Sequence, residues 1–123
     1  MLLIDTHADT LYRRFRRPDA DYDITPDKLK QGGVTVQTMA LFVGDSPELN
    51  RIAETFSGML QKGTELETKG VKRLDDYRDC VDGETTFIYS VEGCDLLNGS
   101  LSLLADWRSM GVRMAVSMLY LLV

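Results

Sequence analysis

The 123-residue sequence is poor in cysteine and long apolar runs, and these shortages exclude several classes of protein. Its two cysteines, Cys80 and Cys94, are too few for a disulfide framework and indicate a reducing compartment. No apolar run reaches the roughly 18 residues of a membrane span, and the first residues lack the pattern of a signal peptide. The formal net charge of −5 argues against nucleic acid as a partner. We therefore expect a cytoplasmic protein with neither a membrane nor a nucleic-acid partner.

Three motifs of common enzymes are also missing. The sequence contains no Gly-x-Ser-x-Gly, no P-loop and no Gly-x-Gly-x-x-Gly. These absences remove the commonest signatures of serine hydrolases and nucleotide-binding enzymes.

Apolar residues and turn residues alternate along the chain in a pattern that predicts strands separated by helices. We expect strands over residues 1–4, 34–43, 85–91 and from 112 onward, the first of them buried. We expect helices over residues 10–17, 26–31, 47–60 and 100–110, with a further short helix near 74–80. Ser46 and Pro47 would begin the third of these helices, and Leu101, Leu104 and Ala105 would form the buried face of the fourth.

Strands that alternate with helices indicate parallel βαβ units. Four such strands make about half of an eight-stranded (β/α) barrel, which usually needs ~250 residues. A small open α/β sheet is the alternative. We expect residues 1–123 to form a single incomplete domain, the N-terminal part of a TIM-type barrel. The apolar residues 116–123 would leave an uncovered strand edge, which is typical of a truncated chain.

His7 and Asp9 follow the first predicted strand as a His-x-Asp pair. In extended backbone, residues i and i+2 point to the same side, so both side chains can reach one ion. Imidazole and carboxylate together suit Zn²⁺ and related divalent metals. The alternative is a loop histidine with one hydrogen bond and an aspartate that caps the next helix.

Glu92 ends the third predicted strand and is followed by Gly93. A carboxylate at the end of a buried strand is costly to desolvate unless it is paired or bound to a metal, although it could be a solvated loop residue. Parallel barrel strands present their carboxyl ends at one mouth. Taken together, the two strand ends predict a metal site formed by His7, Asp9 and Glu92.

Two other groups of residues could carry a function other than metal binding. The first is a basic cluster that could bind phosphate, although a solvated helix face is the interpretation we favour; it comprises Arg13, Arg14, Arg16 and Arg17. The second is a Cys94–His7 dyad of the kind found in cysteine hydrolases, which lacks a third orienting residue.

Four segments in this order resemble the N-terminal portion of the renal (membrane) dipeptidase family, within the metal-dependent amidohydrolase superfamily. They are IDTHADTL at residues 4–11, LKQGGV at 29–34 leading to Gln37, SVEGC at 90–94, and MGVR at 110–113. The resemblance implies a distorted TIM barrel that holds two zinc ions, with His7 and Asp9 on one ion and Glu92 bridging both. It also implies a zinc-dependent dipeptidase, in which a hydroxide bridging the metals attacks the peptide carbonyl of a dipeptide.

The sequence departs from that family because His7 is its only histidine. The ligands that the family places on later strands are therefore absent. We expect zinc to be held weakly and the chain to be a truncated fragment with little or no activity. The alternative is a non-catalytic half-barrel that acts through a homo-oligomer or a partner chain.

Overall fold

A computed structural model describes residues 1–43, 49–97 and 99–116. Within these residues the chain forms five strands, four helices and two short 3-10 turns, Tyr77–Asp79 and Cys94–Leu97. The strands are β1 (Ile4–Asp5), β2 (Val36–Leu41), β3 (Lys72–Arg73), β4 (Thr86–Glu92) and β5 (Val112–Val116). The helices are α1 (Thr10–Arg16), α2 (Pro26–Gln31), α3 (Leu49–Thr68) and α4 (Leu103–Ser109).

The five strands form one parallel sheet, which confirms the predicted α/β class. β2 lies between β1 and β4 and pairs with β4 along its whole length, from Val36 opposite Thr86 to Leu41 opposite Val91. The other edge of β4 is shared by β3 at its start and β5 at its end. Because all the strands run the same way, the chain leaves each of them towards the same edge of the sheet, although β1 and β3 end beside the second residues of β2 and β4.

The two central strands are buried on both faces, as expected for a parallel sheet with covered sides. One face forms the main core with the helices and includes Met39, Phe87 and Tyr89. The opposite face forms a smaller cluster of Val36, Leu74 and Ile88. The segment around Tyr77 and Cys80 packs against that smaller cluster, and the hydroxyls of Tyr77 and Thr38 lie 2.9 Å apart.

Local sequence signals account for the ends of α2. The Thr25 side chain accepts a hydrogen bond from the Lys28 amide at 3.3 Å, and Pro26 occupies the first turn, where no amide partner is needed. Gly32 caps the carboxyl end, and Gly33 adopts a φ of 67°, which favours glycine. The predicted range 26–31 is confirmed, and α1 ends one residue earlier than predicted.

Helix α3 approaches its neighbours closely at two glycines. Gly58 faces the ring of Phe15 on α1, and Gly63 faces the phenol of Tyr89 on β4, so a larger side chain at either position would overlap the ring. Burial raises the pKa of Tyr89 to about 12; Glu67 adds to the shift and Arg73 opposes it. The helix is longer than predicted, and in its added part, residues 61–68, Gly63 and Leu66 are buried while most of the other residues are polar.

The prediction of a buried first strand is wrong. β1 consists of Ile4 and Asp5, and the whole segment from Met1 to Thr6 is exposed. The physical reason is that β1 pairs only with β2 among the described strands, so its outer edge and much of its apolar surface face solvent. β3 was not predicted at all, since its two charged residues carry no strand pattern.

The prediction for the buried face of α4 is also wrong. Leu101 and Leu104 are 74% and 43% exposed, and Ala105 is exposed as well. The core is instead contacted by Leu103 and Trp107, which are four residues apart, and the indole stacks on Phe56 with the ring centroids 6.1 Å apart. The large aromatic surface of Trp107 therefore determines which side of this short helix turns inward.

Two predictions lie outside the described residues, namely the Ser46–Pro47 helix start and the apolar edge at residues 117–123. Residues 74–80, predicted as a short helix, form only the 3-10 turn Tyr77–Asp79. No helix in the described part of the chain is long and apolar enough to cross a membrane.

Candidate metal centre

The segment after β1 is held against β2 by its backbone, and this fixes the positions of His7 and Asp9. The carbonyl of Ala8 accepts a hydrogen bond from the Ala40 amide at 2.9 Å, and Ala8 is buried. The amide of His7 donates to the carboxylate of Asp5 at 3.1 Å. Because Ala8 turns inward, the side chains on either side of it, His7 and Asp9, stand about half exposed at the end of the sheet.

Asp9 precedes α1 but does not cap it through its side chain. The residue occupies the cap position, yet its carboxylate accepts no hydrogen bond from the first turn of the helix. It lies instead 3.1 Å from Nε2 of His7. The interpretation of Asp9 as an ordinary helix cap is therefore wrong.

Glu92 is the last residue of β4, and β5 holds this strand end in place. The amide of Gly93 donates to the Val116 carbonyl at 3.0 Å, and Gly93 has a φ of 83°. Upstream, the register between β4 and β5 shifts by one residue at Arg113, which forms a bulge. The guanidinium of Arg113 donates to the carbonyl and the carboxylate of Asp75 at 2.7 and 2.8 Å, which fixes the bulge.

The two strand ends bring His7, Asp9 and Glu92 together. Nδ1 of His7 lies 2.8 Å from Oε1 of Glu92, and Nε2 lies 3.1 Å from Oδ1 of Asp9. One donor atom from each of the three residues lies within 4.8 Å of the other two. Glu92 is the most enclosed, with its side chain 26% exposed. The structure therefore groups the three residues that the sequence singled out.

The chemistry of this donor set fits a divalent transition metal. A neutral imidazole has only one N–H to donate, yet both ring nitrogens of His7 face carboxylate oxygens. A cation bound to one nitrogen would remove that mismatch. The second nitrogen could then donate to a carboxylate oxygen that is not on the metal, which is the usual way a metal-binding histidine is oriented.

A cavity of about 590 Å³ opens beside His7 and Asp9. Its wall includes Arg13 together with Tyr12 and Phe42, whose ring centroids lie 4.6 Å apart. The sequence pattern alone does not place Arg13 beside His7 and Asp9. The available signal was its position four residues after Asp9, one helical turn further along the same face.

The basic cluster predicted on α1 does not act as one unit. Arg14 is partly buried, lies 4.8 Å above the ring of Tyr22, and donates to the Ile24 carbonyl at 3.4 Å. Arg16 and Arg17 are exposed and, together with Arg13, line a second cavity of about 600 Å³. For the proposed cysteine dyad, the side chain of Cys94 lies outside the described residues.

A parallel α/β sheet with helices, which carries an imidazole and two carboxylates at its carboxyl edge, has the architecture of part of a TIM-type barrel. An amidohydrolase from Pseudomonas aeruginosa is similar in fold, with a TM-score of 0.56 at 13% identity. It is matched over 93% of this chain and 31% of its own.

Two metallopeptidases are more similar in structure. Dipeptidase AC, of metallopeptidase family M19, gives a TM-score of 0.80 at 20% identity, over 94% of this chain and 42% of its own. A metallopeptidase from Rhodobacter sphaeroides, solved with a phosphinate mimic of the dipeptide L-Ala-D-Ala, gives a TM-score of 0.78 at 18% identity. That match covers 94% of this chain and 44% of the other.

The chain therefore spans less than half the length of the metallopeptidases whose fold it shares. This agrees with the resemblance to an N-terminal portion only. No family model matches the sequence, and no curated protein matches it. At these levels of identity, the structural likeness establishes the fold.

Proposed function

We propose that this chain is the metal-binding part of a zinc-dependent metallopeptidase that hydrolyses dipeptides, with His7, Asp9 and Glu92 as ligands. The observation that carries the proposal is the convergence of one imidazole and two carboxylates at the carboxyl edge of the sheet. Substrates of barrel enzymes bind at this edge.

The structural neighbours support the choice of substrate. One is described as a dipeptidase, and another was solved with a mimic of L-Ala-D-Ala. Since both descriptions of these metallopeptidases refer to dipeptides, a dipeptide is the simplest substrate to propose for the shared fold. The cavity beside His7, at about 590 Å³, lies within the usual range for small-molecule sites.

The residues of this chain would contribute in distinct ways. Bound zinc supplies a Lewis acid that polarises a peptide carbonyl and lowers the pKa of water. Asp9 and Glu92 bring two negative charges next to His7, which offset the charge of the cation. The half-exposed side chains of His7 and Asp9 leave the site open to substrate from the cavity, while Glu92 is held more rigidly by β4.

We further propose that residues 1–123 form one incomplete domain of this enzyme, in the cytoplasm. The three grouped residues offer one donor atom each, so the proposed site would gain from a further ligand supplied by a second copy or another chain. A homo-oligomer is the simplest source. On this proposal, the chain alone has weak activity.

The test is hydrolysis of Ala-Ala by the full chain at high protein concentration, with added zinc or with a chelator. We expect slow, zinc-dependent release of alanine that Glu92→Gln abolishes. Glu84→Gln is the matched control, because Glu84 is an exposed glutamate away from the three ligands. Hydrolysis that survives the chelator or Glu92→Gln would contradict the proposal, and zinc binding without any turnover would favour a non-catalytic half-barrel.

A further inference from the structure

The carboxyl end of α1 carries a basic cavity that the proposed metal centre does not use. Arg13, Arg16 and Arg17 line this cavity together, and its volume is about 600 Å³. Their spacing of i, i+3 and i+4 places the three residues on the same side of the helix. Neither His7 nor Asp9 is among the described residues of its wall. The cavity is therefore a separate place at which a ligand could bind.

The positive charge in this cavity is not balanced by the residues around it. In the described part of the chain, the side chains of the three arginines form no hydrogen bond or ion pair. The carboxylate in the described wall, that of Asp21, is 98% exposed and lies 3.9 Å from Nζ of Lys28. The whole chain has a net charge of −5, yet residues 13–17 carry four of its 14 basic side chains and no acidic one. Because like charges at i and i+4 repel each other, a bound anion would stabilise this arrangement.

Tyr22 fixes the backbone around the cavity. Its hydroxyl is shared between the carbonyls of Arg13, at 3.1 Å, and Arg17. Its ring lies 4.8 Å from the guanidinium of Arg14, and its carbonyl accepts a hydrogen bond from Nζ of Lys28 at 2.7 Å. These contacts hold the loop after α1 against the helix. They also occupy carbonyl groups at the carboxyl end of α1, whose partial negative charge would oppose an anion.

We propose that this cavity binds the phosphate group of a small phosphorylated molecule through Arg13, Arg16 and Arg17. Guanidinium groups bind phosphate oxygens through paired N–H donors, and three of them offer more donors than a carboxylate could accept. The cavity is far larger than a phosphate ion requires and lies within the usual range for small-molecule sites. The phenol rings of Tyr12 and Tyr22 offer a surface for the rest of the ligand. This inference does not depend on the proposed metallopeptidase function.

The test is an NMR titration of the metal-free full chain with inorganic phosphate and with phenyl phosphate. Sodium chloride at about 0.1 M screens the distant charges. We expect both anions to shift the amide signals of residues 12–22, with Arg16→Gln and Arg17→Gln each weakening the binding by about tenfold. Arg16→Lys should retain part of the affinity. Arg108→Gln is the matched control, because it removes an exposed arginine on α4, outside the cavity, and should bind as the wild type does.

Each outcome supports or overturns the proposal. Tighter binding of phenyl phosphate than of inorganic phosphate, weakened by Arg16→Gln and Arg17→Gln alone, supports a site for a phosphorylated molecule. The reverse order of affinity overturns that choice of ligand and identifies a site for free phosphate. An equal loss of affinity in Arg108→Gln overturns the site itself, since that pattern indicates a general effect of net charge. The absence of any shift at residues 12–22 overturns it as well.

Discussion

Replacement of Gly63 by alanine tests the close approach of α3 to β4, the strand that ends at Glu92. An added Cβ would overlap the Tyr89 hydroxyl and lie 2.7 and 2.9 Å from Cζ and Cε1 of the ring. The ring has little room to move, since it is 2% exposed and packs edge-on against Phe87 at a centroid distance of 5.2 Å. In a helix, alanine is more stabilising than glycine by about 1 kcal/mol. Overpacking of this kind lowers the free energy of unfolding by up to about 3 kcal/mol. We expect Gly63→Ala to lower the free energy of unfolding by about 2 kcal/mol.

Urea unfolding followed by circular dichroism measures this change. Gln61→Ala is the control, because Gln61 is exposed on the same helix and its replacement should shift stability by less than about 0.5 kcal/mol. The double variant Gly63→Ala with Tyr89→Phe removes the hydroxyl and should recover about 1 kcal/mol as a coupling energy. A Gly63→Ala protein that is as stable as the wild type, or more stable, would refute the packing described for α3.

Two further predictions concern the stability of the fold. Burial holds the pKa of Tyr89 at about 12, above the ordinary 10.0, so the contribution of the buried phenol to folding stability is present below pH 10 and is lost as the pH rises towards 12. In urea titrations over this pH range, the free energy of unfolding of the wild type should fall by up to about 3 kcal/mol more than that of Tyr89→Phe. Equal losses in the two proteins would contradict the assignment. Thr25→Ala removes the side-chain cap of α2 and should cost about 1 kcal/mol by the same assay. Ser102→Ala serves as its control, because Ser102 precedes α4 without a side-chain cap bond, and equal effects of the two substitutions would contradict the cap.

The sequence predicts those parts of the fold in which local chemistry decides the structure. Pro26 and the two glycines that follow α2 mark its ends whatever surrounds it. The buried strands β2 and β4 are recognisable because both of their faces need apolar or small residues. The exposure of β1 depends on which strands lie beside it. The inward face of α4 depends on the position of Phe56, against which Trp107 stacks. These two features are set by tertiary contacts, so local patterns mispredict them.

The same distinction applies to the candidate site. His7, Asp9 and Glu92 can be grouped from the sequence because parallel strands end at a shared edge. The cavity beside them cannot be predicted from the sequence alone, since Tyr22, Asp23 and Phe42 come from separate segments to form its wall. The orientation of Asp9 is likewise visible only in three dimensions. Its side chain faces His7 and leaves α1 without a side-chain cap.

Zinc content of the purified full chain, measured by elemental analysis at equilibrium with free zinc across a dialysis membrane, tests the proposed metal centre most directly. We predict about one bound zinc ion per chain for the wild type, with loss of that ion in His7→Ala and in Glu92→Gln. The control Asp19→Asn, which alters an exposed carboxylate on the loop after α1, should bind zinc as the wild type does. A wild-type chain that retains no zinc, or a His7→Ala chain that retains as much, would contradict the assignment of His7, Asp9 and Glu92 as metal ligands.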